Sequence, residues 1–139
     1  MAKHCETFDH TADVGLIAHA DTLGELFEAL AEGLAGVVCP LDTAVVEEAR
    51  RISVRAEDVE ALAVDFLGAV LSVIQTDRFI PAAVTVDEIA EDHVAALVRG
   101  ERYDPARHVL HTEVKAVTYH LLKVAHEGDQ WVGRVVLDL

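Results

Sequence analysis

The sequence predicts a single α+β domain in which two amphipathic helices pack on a mostly antiparallel β-sheet. Two segments repeat apolar residues at intervals of three and four, which is the period of a helix. Other segments alternate apolar and polar residues, as strands do. The 139 residues are 52% hydrophobic, which is enough for one core, and no linker or repeat divides the chain. We therefore expect residues 1–139 to form one domain.

The two helices carry clear start signals. The first follows a predicted strand at residues 14–20 (VGLIAHA) and has Thr22 as its N-cap, with Glu25 three residues later in the pattern of a capping box. Pro40 ends it, because proline cannot continue a helix. The second helix begins near Asp58 and has the clearest amphipathic pattern in the chain.

The remaining sequence is mostly predicted strand. Residues 93–100 (HVAALVRG) are predicted to return antiparallel, although they also fit a short helix. Residues 100–102 are interpreted as a turn, and Gly128 and Asp129 form a predicted hairpin turn. The predicted strands after the first helix are residues 51–56, 83–89, 93–100, 110–126 and 131–137.

Charge and composition exclude several classes of function. The chain has 11 basic and 25 acidic residues, a net charge of −14 at pH 7, so a broad basic face for direct, tight nucleic-acid binding is not expected. A basic partner or a cation suits it better. Cys5 and Cys39 form no zinc or redox motif, so we expect reduced thiols. We expect a cytoplasmic protein without membrane contact, because no secretory signal precedes the fold and no segment approaches about 20 apolar residues.

Two groups of carboxylates could bind a cation. Asp9, His10 and Asp13 lie within five residues of one another, just before a predicted strand. They could form a cation or proton-transfer site, or they could simply shape the turn that enters the strand. At the other end of the chain, Asp138 and the α-carboxylate of Leu139 follow an apolar strand. Two adjacent anions need a positive partner unless this terminus is solvated.

A third group lies near the end of the chain. On a strand, Lys115 and Tyr119 would point to one side, and Thr118 and His120 to the other. The pattern does not decide which side is buried. Lys115 could neutralise nearby carboxylates, or it could be a surface lysine beside a hydrogen-bonded core histidine. The sequence contains no glycine-rich phosphate loop, and no nucleophile paired with a base can be identified, so it does not predict a self-sufficient enzyme.

Taken together, several segments resemble the archease family, and the resemblance covers essentially the whole chain. The combination of an early DHTAD, a late VKAVTYH and an aspartate before the last residue is specific, although any one of these would be weak. The segments are residues 8–15 (FDHTADVG), 22–27 (TLGELF), 100–101 (GE), 114–120 (VKAVTYH) and 136–139 (VLDL).

The resemblance implies an accessory protein that is not itself a catalyst. Archeases activate RtcB-type RNA ligases, which join a 3′-phosphate or 2′,3′-cyclic phosphate end to a 5′-hydroxyl. They accelerate the GTP- and metal-dependent guanylylation of the ligase and restore multiple turnover. The family's metal site corresponds here to Asp13, Asp138 and the terminal carboxylate of Leu139, with Lys115 as a further functional candidate. The cofactor implied is a divalent cation (Ca²⁺, Mg²⁺ or Mn²⁺), and the fold implied is a small α+β domain.

Two other functions remain open at this stage. A metal-dependent phosphoester hydrolase could use Asp9, His10, Asp13 and Asp138 as its site, and it would turn over a phosphoester without a partner. A chaperone-like acidic module would bind several basic proteins, would weaken steeply with salt and would not depend on Asp13.

Overall fold

Two antiparallel sheets enclose two helices in the computed structural model, which describes residues 3–10 and 13–139; the side chains of Asp9 and His10 lie outside the described part. The strands are β1 (His4–His10), β2 (Asp13–Ala20), β3 (Glu48–Arg55), β4 (Phe79–Ile89), β5 (His93–Arg102), β6 (Ala116–Glu127) and β7 (Gln130–Asp138). The helices are α1 (Leu23–Val38) and α2 (Val59–Thr76), with a 3-10 turn at Leu41–Thr43.

The strands divide into a four-stranded sheet of order β1-β2-β7-β6 and a three-stranded sheet of order β3-β5-β4. Each helix contacts strands of both sheets: α1 packs on β2 and β4, and α2 packs on β6 and β3. The helices therefore form a layer between the sheets. The predicted α+β class is confirmed, and the second sheet explains why both helices bury so many apolar residues.

The helix starts follow from local hydrogen bonds. Thr22 Oγ1 accepts a hydrogen bond from the backbone N–H of Glu25 at 3.1 Å, and the Thr22 hydroxyl donates to the Glu25 carboxylate at 3.0 Å. At α2, Asp58 Oδ1 accepts from the backbone N–H of Ala61 at 2.8 Å. These side chains satisfy backbone donors that have no partner within the helix, as the sequence predicts.

Helix α2 is strongly apolar along its length. By length and composition alone it would match a membrane-spanning helix, with 18 residues and a mean hydropathy of 1.6. In the fold, 44% of its residues are buried, and Phe66, Leu67 and Val70 belong to the central core. Its apolar side chains thus contribute to the core between the two sheets, as in the core helix of a soluble protein.

The structure differs most from the sequence prediction before β2 and before β6. Strand β1 was not predicted, because this edge strand mixes polar and half-buried residues and shows no clear alternation. The predicted strand at residues 110–126 begins only at Ala116. Before it, the backbone N–H of His111 donates to the Val38 carbonyl at 2.8 Å, and the Gln75 side chain donates to the Val114 carbonyl at 2.5 Å. The helix ends thus bind most of this segment, and β7 is joined to it at Lys115.

Candidate functional site

A row of residues crosses the four-stranded sheet at one of its ends. Asp13 begins β2 and is the direct cross-strand partner of Asp138 at the end of β7. On either side of this pair, the backbone of His10 is opposite Asp13, and Ala116 is opposite Asp138. Directly opposed residues of an antiparallel pair share a face, with Cβ atoms about 4.5–5.5 Å apart. The register therefore places the Asp13 and Asp138 side chains next to each other.

The two aspartates are on the face of the sheet that points away from the helices. Successive side chains of a strand point to opposite faces, so Leu16 of β2 and Leu137 of β7 point away from the aspartates' face. Both leucines are buried toward the helices. Asp13 and Asp138 are both half-buried, so water still reaches them. The helices therefore do not cover the carboxylates, and a cation or a partner could approach from outside.

Lys115 and Leu139 are close to this pair in the chain and in space. The backbone N–H of Lys115 donates a hydrogen bond to the Asp138 carbonyl at 2.8 Å, and the Lys115 side chain is exposed. Leu139 directly follows Asp138 and is half-buried. Asp9 and His10 enter only as backbone at the end of β1, because their side chains lie outside the described residues. The fold thus brings Asp13, Asp138, Leu139 and Lys115 to one end of the sheet.

A large bulge in β6 separates Tyr119 and His120 from the regular strand. The pairing of β6 with β7 jumps from Thr118 to Lys123, and the residues between them leave the ladder. The prediction of one uninterrupted strand over residues 110–126 is therefore wrong. The alternative of a core histidine at position 120 is also wrong, because His120 is exposed.

Specific contacts hold the bulge in place. The Thr118 hydroxyl donates to the Val136 carbonyl at 2.9 Å and accepts from the backbone N–H of His120 at 3.3 Å. Arg134 Nε donates to the Leu121 carbonyl at 2.7 Å, and Leu121 has a φ of 55°, which is uncommon for leucine. The bulge leaves Tyr119 61% exposed and Leu121 47% exposed. Two large side chains thus leave the regular ladder beside residues 134–136 of β7, the strand that ends at Asp138.

The donor set at this end fits a hard divalent cation better than zinc. Asp13 and Asp138 supply carboxylate oxygens, the ligands that Ca²⁺, Mg²⁺ and Mn²⁺ prefer, and no thiol is nearby. Among the side chains that the structure describes, no three His, Cys, Asp or Glu residues are close enough to hold a metal ion. A cation site here would need at least one further donor besides these two carboxylates.

Sequence reasoning missed one buried polar cluster. Residues 100–102, interpreted as a turn, belong to β5, and Glu101 is only 2% exposed. Its carboxylate accepts from the backbone N–H of Val45 at 2.7 Å, forms an ion pair with Arg107, and lies 3.2 Å from Nε2 of the buried His108. It joins two loops to the end of β5, which is a structural role. No local pattern predicts it, because its partners are distant in sequence.

Comparison with known proteins gives a consistent result over the whole chain. Residues 5–139 match the model of the archease protein family. A protein archease from Methanosarcina acetivorans is 34% identical over 143 residues, covering 100% of this chain and 98% of its own. One from Methanopyrus kandleri is 36% identical over 137 residues, covering 96% of this chain and 98% of its own.

Two solved structures share the fold. The solution structure of protein 1598 from Methanobacterium thermoautotrophicum has a TM-score of 0.80 and 31% identity, covering 97% of this chain and 98% of its own. The crystal structure of an archease from Thermotoga maritima, described as a possible chaperone, has a TM-score of 0.61 and 23% identity, covering 96% of each chain. The second similarity concerns the fold alone.

Proposed function

The chain belongs to the archease protein family, and on that premise we propose that it is an accessory protein that activates an RtcB-type RNA ligase. Such a ligase joins a 3′-phosphate or 2′,3′-cyclic phosphate end to a 5′-hydroxyl, after GTP- and metal-dependent guanylylation of the enzyme. In this proposal the protein promotes guanylylation and multiple turnover, and it performs no covalent chemistry itself.

The observation that carries the proposal is the pairing of Asp13 with Asp138 on the open face of the sheet. Like charges directly opposite each other in a sheet are destabilising, so a cation between them is favourable. Asp13, Asp138 and the terminal carboxylate of Leu139 would hold a divalent cation such as Mn²⁺, Mg²⁺ or Ca²⁺. A bound cation would supply positive charge next to the phosphate groups of the ligase reaction.

The surroundings of the pair suit insertion into a basic cleft. The net charge of −14 complements an RNA-binding surface, and complementary charge speeds encounter and orients the partners. Tyr119 and Leu121 on the β6 bulge, beside residues 134–136 of the strand that carries Asp138, offer exposed apolar area, and tyrosine is a frequent anchor in protein interfaces. Lys115 could pair with a phosphate or an acidic group of the ligase.

RNA end-joining by the cognate ligase tests the proposal. The ligase is kept substoichiometric to RNA, with GTP and Mn²⁺, and the product is counted with and without this protein. We expect a change from about one product per ligase to many. Asp13→Asn and Asp138→Asn should abolish this stimulation, and Lys115→Gln should reduce it. Asp65→Asn, which removes the same charge from the exposed face of α2, should leave it intact.

A second variant isolates the terminal carboxylate. One glycine added after Leu139 moves that group without changing any side chain, and we expect loss of stimulation with unchanged circular dichroism. Equal stimulation by all of these variants would reject the acidic end as the active surface. Metal-dependent phosphoester turnover by the protein alone would favour the hydrolase. Binding of many basic proteins, indifferent to Asp13, would favour a chaperone-like module.

A further inference from the structure

A cavity of about 770 Å³ opens beside the segment that precedes β6, and it lies outside the carboxylate pair. Its apolar lining includes Val38 at the end of α1, Ile74 near the end of α2, and Ile80 of β4. These three side chains are 7%, 7% and 2% exposed, so they form the floor. The volume is within the range of about 300–1,000 Å³ that is typical of small-molecule sites.

The cavity wall is built by hydrogen bonds between distant parts of the chain. The backbone N–H of Tyr103 donates to the Arg78 carbonyl at 2.7 Å, which joins the end of β5 to the start of β4. On the opposite side, His111 and Val114 are bound to the ends of the two helices. The opening is therefore bounded by backbone that is held at several points.

The rim of the cavity is positively charged in a chain that is otherwise strongly acidic. Arg78 and Lys115 line it and are exposed, against one acidic lining residue, Glu113. In the described part of the structure, the side chains of Arg78 and Lys115 form no ion pair and no hydrogen bond.

Helix dipoles offer an alternative explanation for these cations. Val38 and Ile74 lie in the last turns of α1 and α2, where basic groups interact favourably with the dipole. However, neither Arg78 nor Lys115 donates a side-chain hydrogen bond to a helix carbonyl in the described structure. The guanidinium has five N–H donors in a planar fork that matches carboxylate, sulfonate and phosphate oxygens. Its donors therefore face solvent or a ligand.

We infer that this cavity binds a small amphiphilic anion, with its apolar body on the Val38–Ile74–Ile80 floor and its acidic head group on Arg78 and Lys115. The apolar floor would contact the body of the ligand. Arg78 and Lys115, which form no ion pair in the described structure, would contact its acidic head group. A neutral apolar molecule would leave both cations without a partner. An inorganic anion alone would leave Leu110, which also lines the cavity and is 51% exposed, without an apolar contact. The inference does not depend on ligase activation, because Arg78 and the floor are outside the carboxylate pair.

The test uses naphthalene-2-sulfonate as the probe, with 2-naphthylmethanol as its neutral counterpart and inorganic phosphate as the head group alone. Calorimetry measures affinity, and amide shifts in a ¹⁵N-labelled protein locate the site. Arg78→Gln removes the charge and Arg78→Lys keeps it. Because Arg78 has a φ of 51°, both variants place a non-glycine residue in the same strained backbone. Arg99→Gln and Asp65→Asn, which change exposed residues that do not line the cavity, are the controls.

We expect the sulfonate to bind, with shifts at residues 111–115 and at least tenfold tighter binding than the alcohol or phosphate. Arg78→Gln should weaken binding about tenfold, since it removes a charge-assisted hydrogen bond, whereas Arg78→Lys and both controls should stay within about threefold. Equal binding of the alcohol, no effect of Arg78→Gln, shifts elsewhere, or no saturable binding at about 1 mM would overturn the inference.

Discussion

Asp13 of β2 and Asp138 of β7 lie directly opposite each other at one end of the four-stranded sheet. Their shared face points away from the helices, so neither carboxylate contributes to the core. Like charges directly opposite each other in a sheet repel, so we predict that a cation bound between these carboxylates stabilises the fold. This opposition leads to a prediction that does not need the ligase.

Asp138→Asn should separate cation binding from folding. In metal-free buffer the variant should be as stable as the parent protein or more stable, by up to about 1 kcal/mol, because like-charge repulsion is removed. With Mn²⁺ or Ca²⁺, the melting temperature of the parent should rise with cation concentration as a bound ligand requires, and that of Asp138→Asn should not. Thermal melts over a cation series measure both effects.

The control for this experiment is Asp65→Asn, which removes one exposed carboxylate from α2 and should keep the full response to the cation. If Asp138→Asn is less stable without metal and responds to Mn²⁺ as the parent does, the carboxylate pair is not a cation site. A rise in melting temperature that is equal in all three proteins would indicate a general ionic-strength effect.

Two glycines of α1 should respond in opposite directions to the same substitution. A Cβ at Gly33 would lie 2.5 Å from the Cys5 sulfur, whereas a Cβ at Gly36 would meet nothing within 4 Å. Gly36→Ala should stabilise the protein by about 0.5–1 kcal/mol, because alanine restricts the unfolded chain and favours helix. Gly33→Ala should destabilise it by about 1–3 kcal/mol through overpacking against β1.

Urea unfolding measures this pair, and each variant is the other's control because both changes are made in one helix. Cys5→Ala in the Gly33→Ala background should recover part of the loss, since it removes the sulfur that the new methyl would meet. Equal effects of the two glycine substitutions would mean that β1 does not pack on α1 as the structure has it.

The sequence predicts the helices and the inner strands well, because their signals are local. Thr22 and Asp58 cap the helices as predicted, and β2 and β7 alternate clearly. It also marks Asp13 and Asp138 as candidates, but only the register of β2 with β7 places them opposite each other. Their role as cation ligands stays a prediction.

The β6 bulge and the Glu101 cluster were beyond sequence reasoning for a different reason. No glycine or asparagine marks the left-handed residue of the bulge, where Leu121 is held by Arg134 from the neighbouring strand. Glu101 has partners at positions 45, 107 and 108. Such features depend on contacts between distant residues, so a single sequence contains no pattern for them.

Glu101→Ala should be among the more damaging single substitutions away from the apolar core. It leaves the backbone N–H of Val45 without its acceptor and the half-exposed Arg107 without its ion partner, and leaving a buried polar group unsatisfied costs about 1–3 kcal/mol for each group. Glu101→Gln keeps an oxygen for the Val45 N–H and should cost less, about 1–2 kcal/mol. Glu57→Ala, at an exposed position, should change stability by less than about 0.5 kcal/mol.

Equilibrium unfolding in urea gives these free energies, provided that the slope with denaturant is unchanged. A loss below about 1 kcal/mol in the free energy of unfolding for Glu101→Ala would mean that the carboxylate is not buried with its partners in solution. So small a loss is typical of substitutions at exposed carboxylates.

His93 provides the clearest dependence on pH. Its ring nitrogens lie 2.9 Å from an Asp92 oxygen and 3.1 Å from a Glu88 oxygen. The hydrogen bond with Asp92, and to a smaller extent the one with Glu88, raises the pKa of His93 above its ordinary 6.5. The hydrogen bond with His93 lowers the pKa of Asp92 below its ordinary 3.8. The folded state therefore favours the charged form of both groups.

The sign of the effect on stability follows for each group. The contribution of His93 is fully present below pH 6.5 and is lost as pH rises through its higher folded-state pKa. The contribution of Asp92 is present above pH 3.8 and is lost as pH falls through its lower folded-state pKa. An NMR titration of the His93 ring should give a midpoint above 6.5, and Asp92→Asn should lower that midpoint while Asp65→Asn leaves it unchanged. A midpoint at or below 6.5, or a midpoint that Asp92→Asn leaves unchanged, would contradict this hydrogen-bonded arrangement. The reason is that the negative charge of Asp92 favours the protonated ring.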